Sequence, residues 1–468
     1  MTVSLRTPLL LCTLALATAL AGCTTTGTRP DRPQTVRIDP AIAQAYPLAA
    51  QHAGLSGQAR SDNAQAIQAL LAGLDDATLA TEAARIPEGD ALYNFAGREL
   101  LRRGLEPPRP LDREGDWRFD AGDRPAADRD GYRPPRRMAV LLPLTGEMAV
   151  AASPVRDGLL TAYYSEHRAK PELHFYDTGS SPAGTQAAYQ KAVAEGADFV
   201  VGPLGRDQVS ALFAQPLQVP VLALNRGTTD ANPPNGSASF ALAPEDEGIA
   251  AADYLLARKA RRVLVLVGGE DSLRRSASAL GRQLEQRGGS VARTLTVGEK
   301  PDVAALQQAL QALAQQPESV DAVFLAVKGA QARVLTPLLA LTGFSGKPQV
   351  ATPQLLSGTG KPEDDKALDG IAFPTEAWGV RSVSSLPPAQ STGELLPTAR
   401  GPAAKLYAFG HDAWMLSAYL ERLARRADAT LPGATGTLRV DGYGNVLREP
   451  VWSTFSDGRI VALPDTAR

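Results

Sequence analysis

Cysteine is nearly absent from this chain. Its 468 residues hold two, Cys12 and Cys23, both close to the N-terminus. A chain with no cysteine beyond that point has no disulfide framework, so its fold has to stand on a hydrophobic core. Histidine is scarce as well. The four, His52, His167, His174 and His411, fall in no metal-ligand spacing such as HExxH, and no metal site is assigned. No GxSxG elbow occurs, and Gly268-Gly269 lacks the rest of a GxGxxG or a P-loop lysine. No catalytic residue and no cofactor is therefore assigned. An excess of either charge is also missing: 48 Lys and Arg against 50 Asp and Glu leave a net charge of −2, which offers nucleic acid nothing as a bulk property. Long hydrophobic runs are lacking too. The N-terminal run from Leu9 to Ala21, with Arg6 ahead of it, is too short for a membrane span and has the form of a signal peptide. What is present, 44% hydrophobic and 21% charged residues, is ordinary for a globular protein long enough for two or three domains.

Leu20-Ala21-Gly22-Cys23 closes the apolar run and matches the bacterial lipobox, whose Cys is diacylated and becomes the mature N-terminus. The alternative is an ordinary signal peptide that carries a Cys at its end. Read as a lipobox, residues 1–22 are a lipoprotein signal peptide and Cys23 is the anchor. Its several acyl chains meet the two-signal requirement for stable membrane attachment. Thr24 rather than Asp follows, which in enterobacterial-type sorting directs a lipoprotein to the outer membrane. Residues 23–39 hold little to bury and read as a flexible tether. From 40 to 105 Ala, Leu and Gln dominate; Ala64, Ile67, Leu70 and Leu71 recur at helical spacing, as do Leu92, Phe95, Leu100 and Leu101. Three or four short helices are expected there. No 34-residue period supports a solenoid. Residues 106–136 return to Pro, Arg, Asp and Gly. They read either as a linker or as a segment laid onto the next domain by Trp117, Phe119 and Tyr132.

From Arg137 onward strands and helices alternate. Met138 to Leu142 is apolar throughout, as a strand covered on both faces is. The loop Pro143-Leu144-Thr145-Gly146 follows, then a helix pattern carried by Val155, Leu159, Leu160 and Tyr163. Further strands are expected at 173–176, 199–201 and 219–224. A second series starts at Arg262 to Val267 and runs through 291–296 and 321–327. A Ser/Pro/Thr-rich loop, 381–400, precedes a long helix from Pro402 to Arg426, and short alternating strands close the chain. Two successive βαβαβ series imply an α/β fold of two lobes over residues 137–468, with a small all-helical segment before it.

Several stretches carry a family resemblance. MAVLLPLTG (Met138 to Gly146) looks like the opening strand and loop of type I periplasmic binding proteins. RDGLLTAYY (Arg156 to Tyr164), FYDT (Phe175 to Thr178), AVAEGADFVVGPL (Ala192 to Leu204), VPVLALNR (Val219 to Arg226) and the closing stretch Gly433 to Ile460 together resemble the LpoA family. Those proteins are outer-membrane lipoprotein activators of class A penicillin-binding proteins. The resemblance implies a regulator of an enzyme, not an enzyme, with a class A penicillin-binding protein as partner and the outer membrane as its address. The better-known members carry a larger helical N-terminal domain with TPR-like repeats, so this chain reads as a short form. In type I binding proteins the carboxyl ends of the strands hold a small ligand. Here that rim comprises Thr145, Gly146, Asp177, Thr178, Gly202, Pro203, Asn225 and Arg226, with Asp230 nearby. A Thr hydroxyl, backbone N–H groups and an Arg could cradle a carboxylate there. The same residues could instead serve loop backbone and contacts between lobes, leaving a vestigial cleft. A solute-binding lipoprotein for amino acids or small anions is the alternative function. The loop 381–400 reads as either a partner surface or a plain insertion.

Overall fold

The computed structural model describes residues 38–464 apart from 53, 56, 104, 113–116, 230, 317–319 and 359. The signal peptide, Cys23, nearly all of the tether, and Asp230 lie outside the described residues.

Four helices come first: α1 (Pro40–His52), α2 (Gly57–Ala72), α3 (Asp76–Arg85) and α4 (Ala91–Arg102). Asp75 caps α3 by accepting the Thr78 N–H at 3.0 Å, and Asp90 caps α4 through the Leu92 N–H at 2.9 Å, which satisfies donors that a first turn leaves open. Their apolar stripes, with Ile42, Ile67, Leu71, Leu79, Leu92 and Leu100, close into a small core of their own. Arg103 holds the bundle by donating to Leu71 O at 3.0 Å and Leu74 O at 2.8 Å, at the carbonyl end of α2.

The first lobe is built from β1 (Arg137–Leu142), α5 (Ala149–Ser165), β2 (Glu172–Asp177), α6 (Pro182–Ala194), β3 (Phe199–Val201), α7 (Arg206–Phe213), β4 (Val221–Ala223) and β5 (Ala238–Phe240). The second follows with α8 (Pro244–Ala257), β6 (Arg262–Gly268), α9 (Asp271–Gln286), β7 (Ser290–Val297), α10 (Val303–Ala314), β8 (Ala322–Ala326), α11 (Gly329–Leu341), β9 (Gln349–Ala351), α12 (Pro362–Asp365) and β10 (Ala372–Thr375). After α13 (Ala377–Val380) and α14 (Ala389–Leu395), α15 (Ala403–Arg425) returns to the first lobe, packing along α5. The remaining strands are β11 (Leu431–Pro432), β12 (Thr437–Val440), β13 (Asn445–Glu449), β14 (Val451–Ser456) and β15 (Arg459–Ala462).

Among the described residues the strands form two sheets, in the orders β11-β12-β13-β5-β4-β3-β1-β2 and β15-β14-β10-β9-β8-β6-β7. The α/β fold of two lobes expected from the alternation is thus the one observed. The short closing strands expected from alternation are present and divide between the two sheets: β13 pairs parallel with β5, and β14 pairs antiparallel with β10. Strand alternation specifies which face is apolar, not which sheet edge is vacant. The loop at 381–400 differs from expectation, since it contains α14, with Thr392 buried and its hydroxyl bonded to Pro388 O at 2.9 Å.

Alternate residues of β1 feed two cores. Met138, Val140 and Leu142 face one, Ala139 and Leu141 the other, as the strand's period of two requires. Glycines let α5 and α15 touch backbone to backbone: a Cβ on Gly158 would lie 1.9 Å from Tyr407 O, and one on Gly410 1.9 Å from Val155 O. The segment before β1 belongs to this core as well. Trp117, Phe119 and Tyr132 are only 5%, 8% and 2% exposed. The Trp117 indole N–H donates to Ser237 O at 2.6 Å, and the Tyr132 hydroxyl to Ala169 O at 2.9 Å. Arg133 forms a two-pronged pair with Glu421 of α15 at 2.8 and 2.9 Å. Arg124 is buried over the Phe199 ring at 4.8 Å, and burial pulls its pKa down to about 10. A few aromatics outweigh a polar composition here, because each buries roughly 150–250 Å².

Candidate functional site at the inter-lobe rim

In the first sheet β1 lies between β2 and β3, so the strand order switches direction there. Loops leaving the carboxyl ends of strands at such a point are the usual place for a ligand in an open α/β sheet. The residues predicted for the rim all sit on these loops, but they fall into separate sets.

Thr145, Gly146 and Asp177 form one. The Asp177 carboxylate at the end of β2 accepts from Leu144 N at 2.9 Å, Thr145 N at 3.3 Å, Gly179 N at 2.9 Å and the Thr145 hydroxyl at 2.6 Å. The Thr145 hydroxyl, with help from the Gly179 N–H, holds this carboxyl below its ordinary pKa. Gly146 turns the loop with φ of +83°, a conformation that favours glycine. Thr178 is fully buried, and its hydroxyl accepts from the Gln208 amide at 3.3 Å. Gln208 in turn accepts the Gly205 N–H at 3.0 Å at the start of α7.

Gly202, Pro203 and Asn225 form the second set. The Gly202–Pro203 peptide is cis. A Cβ on Gly202 would lie 2.1 Å from Leu141 O, so only glycine fits where β3 ends against β1. Pro203 O accepts the Leu224 N–H at 2.9 Å, and the Asn225 amide donates to Leu204 O at 2.9 Å. The loops after β3 and β4 are thereby tied to each other.

Arg226 turns to the second lobe. Its guanidinium, read from the sequence as a clamp for a solute carboxylate, binds both oxygens of Asp246 at 3.0 Å. Asp246 belongs to an acidic first turn on α8, Glu245-Asp246-Glu247, and each of these carboxylates has a cation. Arg275 of α9 holds Glu245 at 2.8 and 2.9 Å, and Lys405 of α15 holds Glu247 at 2.7 Å. Burial pushes the Glu245 pKa up, but the Arg275 guanidinium more than offsets it and the net shift is downward. Two of these three pairs join the lobes. The acidic triplet after Pro244 is legible in sequence as a helix start. Its partners are not, since Lys405 lies 158 residues from Glu247. In the second lobe the corresponding loops after β6 and β8 are also joined to each other, by Lys328 and Glu270.

His411, left without a role by the sequence, is buried on α15. Its Nδ1 lies 3.0 Å from Asp412 Oδ1 and its Nε2 3.1 Å from the Ser385 hydroxyl. Asp412 also accepts from Ala434 N at 2.6 Å, Thr435 N at 2.8 Å and the Thr435 hydroxyl at 2.6 Å. The Ser385 hydroxyl donates to the carbonyl of Ser384. Through His411 the cluster holds Ser385, and through Asp412 it holds Ala434 and Thr435, so it pins the loops at 381–400 and 433–435 to α15. Among the described residues no group of three or more His, Cys, Asp or Glu is placed to hold a metal ion.

A model of the LppC lipoprotein family matches residues 132–458. The chain is similar to the penicillin-binding protein activator LpoA of Photobacterium profundum, at 29% identity over 350 residues, covering 69% of this chain and 56% of that protein. It spans about half the length of the curated relatives it matches. The full-length LpoA structure from Haemophilus influenzae aligns with 91% of this chain and 78% of its own at a TM-score of 0.63 and 19% identity, a likeness of fold alone. A Chromobacterium violaceum structure assigned to a branched-chain amino acid ABC transporter aligns at a TM-score of 0.54 and 28% identity, covering 68% of this chain and 100% of that one.

Proposed function

This chain belongs to the LppC lipoprotein family, and from that premise we propose that it is an outer-membrane lipoprotein that binds a class A penicillin-binding protein and stimulates peptidoglycan synthesis. In this reading residues 1–22 are removed, Cys23 carries the lipid, and residues 23–39 tether the folded part to the membrane. The chain acts as a regulator and performs no chemistry itself. Stimulation needs only a higher affinity for the active conformation of the synthase than for the inactive one.

The likeness to activators over the two-lobed region carries the proposal. The state of the rim supports it. Thr145, Thr178, Asn225 and Arg226 each spend their polar groups inside the chain, so the cleft is better read as vestigial and the working surface lies outside it. The alternative, a solute-binding lipoprotein for amino acids or small anions, shares the fold but would need Arg226 released from Asp246.

The test is a glycan-polymerisation assay with a purified class A penicillin-binding protein and the full chain. A rise in rate is expected; binding with no change in rate would refute the activator role. Calorimetry against free amino acids separates the alternative, because tight saturable binding would favour solute delivery. In cells, Cys23→Ser is expected to move the protein from the membrane fraction to the soluble periplasm, read by fractionation.

A further inference from the structure

Each sheet ends in two edge strands, and three of the four carry a feature that discourages further pairing. β11 is two residues long and ends in Pro432. β2 presents Glu172 and Asp177, both exposed. β7 shifts register against β6 at Ala292. The fourth, β15, has neither proline nor bulge, and it leaves Ile460 and Val461, on opposite faces, 42% and 40% exposed.

Hydrogen bonds on either side of β14 show which backbone groups of β15 face outward. Leu463 N donates to Trp452 O at 2.7 Å on the β15 side, and Gly370 N donates to Phe455 O at 3.0 Å on the β10 side. Residues of an antiparallel strand alternate in the direction of their N–H and C=O groups. Arg459, Val461 and Leu463 therefore bond to β14, while Ile460 and Ala462 turn theirs outward. Among the described residues no hydrogen bond reaches those outward groups.

A pocket of about 400 Å³ lies beside this edge, lined by Phe455, Ile460, Pro362, Gly360 and Gly458. Ile460 pairs directly with Phe455, so the two share one face of the sheet. The frame is fixed. Asp369 accepts the N–H groups of Asp457 and Gly458 at 3.0 and 2.9 Å, which holds the turn between β14 and β15. A Cβ on Gly458 would lie 1.9 Å from Pro362 O, so the turn sits directly on α12. Two charged residues, Asp365 and Arg459, also line the pocket. Asp365 is fully buried and spent on Arg333, at 2.7 and 3.0 Å, and on the Gly360 N–H at 2.6 Å. Asp457 in the turn lies 4.0 Å from Lys366. Arg459 is exposed, and its guanidinium has no partner among the described residues.

An added strand gains affinity from main-chain hydrogen bonds and specificity from pockets for its side chains. Its successive side chains point to opposite faces. A residue opposite Ile460 would reach the pocket, and its neighbour, opposite Arg459, would meet a guanidinium, which selects a carboxylate. We propose that β15 takes up an extended peptide segment of a partner protein as a further strand, with an apolar side chain in the pocket and an adjacent carboxylate on Arg459. Neither the strand nor the pocket includes a rim residue, and binding there does not require the activator role.

The experiment uses the full chain and a fluorescein-labelled peptide of threonine and serine around one isoleucine–glutamate pair, followed by fluorescence anisotropy. Saturable binding is expected, tighter by about tenfold or more than with isoleucine–lysine or serine–glutamate in its place. Ala462→Pro removes an outward N–H and leaves the bonds to β14, since an edge strand tolerates proline where its N–H faces solvent. It is expected to weaken binding by about tenfold or more with an unchanged melting temperature. Arg459→Glu alters only an exposed side chain and is expected to reverse the preference in favour of the isoleucine–lysine peptide; it decides the matter if Ala462→Pro lowers the melting temperature. No saturable binding, parent affinity in a stably folded Ala462→Pro, or an unchanged preference in Arg459→Glu would overturn the proposal. A dimer in sedimentation velocity that Ala462→Pro dissociates would overturn it too, and would assign the edge to a second copy of this chain.

Discussion

Trp117→Ala tests whether the polar segment ahead of β1 is part of the first lobe. The indole is 5% exposed and packs so closely on Gly444 that a Cβ there would lie 2.5 Å from its Nε1. Truncating a buried Trp to Ala costs about 3–5 kcal/mol, because the cavity left behind closes only partly. The substitution also leaves Ser237 O without its donor at 2.6 Å, which adds about 1 kcal/mol. A total of about 5 kcal/mol corresponds to a fall of roughly 10–20 °C in melting temperature, at the ~2–4 °C per kcal/mol of a domain of about 150–250 residues. Trp117→Phe keeps most of the volume and loses the N–H, so its cost should be about 1–2 kcal/mol. Far-ultraviolet circular dichroism on heating reads both without relying on the tryptophan itself. If Trp117→Ala melts within about 2 °C of the parent, the segment contributes nothing to the lobe and the reasoning fails. The same argument predicts that a fragment starting at Arg137 is less stable than one starting near residue 106, since it loses Trp117, Phe119, Tyr132 and the Arg133–Glu421 pair.

Gly158→Ala is expected to cost about 1–3 kcal/mol or more, read as a lower urea midpoint, because its methyl would meet Tyr407 O where α5 crosses α15. Asp412→Ala strands the N–H groups of Ala434 and Thr435 in a buried site and should cost about 3 kcal/mol or more by the same measurement; a cost under about 1 kcal/mol would refute the pinning role. The first rim loop should loosen in acid. The Asp177 pKa is depressed below the ordinary 3.8, so its contribution is fully present above 3.8 and lost as pH falls through the lower folded-state value. Amide exchange at Leu144 and Gly179, corrected for intrinsic rate, should therefore be unchanged from pH 7 to about 5 and faster only in stronger acid. Exchange that is equally slow in Asp177→Asn would show that the carboxylate does not hold the loop.

Much of the fold was legible because it is written in local periodicity. The strand at Met138 to Leu142 announces itself by an unbroken apolar run, and β1 spans Arg137–Leu142. The long closing helix, expected over Pro402 to Arg426, spans Ala403–Arg425. The rim was legible as a set of loops following strands, but its chemistry was not. Arg226 reads the same in sequence whether it waits for a solute or grips Asp246, and only the placement of α8 decides between them. The aromatics of residues 106–136 were visible against their surroundings, yet composition alone could not say whether three rings were enough to hold a charged segment down.

The sequence by itself determined what depends on neighbours along the chain: the signal-like N-terminus ending in Cys23, the order of strands and helices, and the two-lobed class. Tertiary structure alone decided what depends on residues far apart. It divided the closing strands between the sheets, paired the first turn of α8 with cations from α9, α15 and the first lobe, and brought α2 opposite α9 across a crevice. The physical reason is range. Backbone propensity and hydrophobic period act within a few residues, whereas ion pairs, edge pairing and cavity walls form only after the chain has folded back on itself.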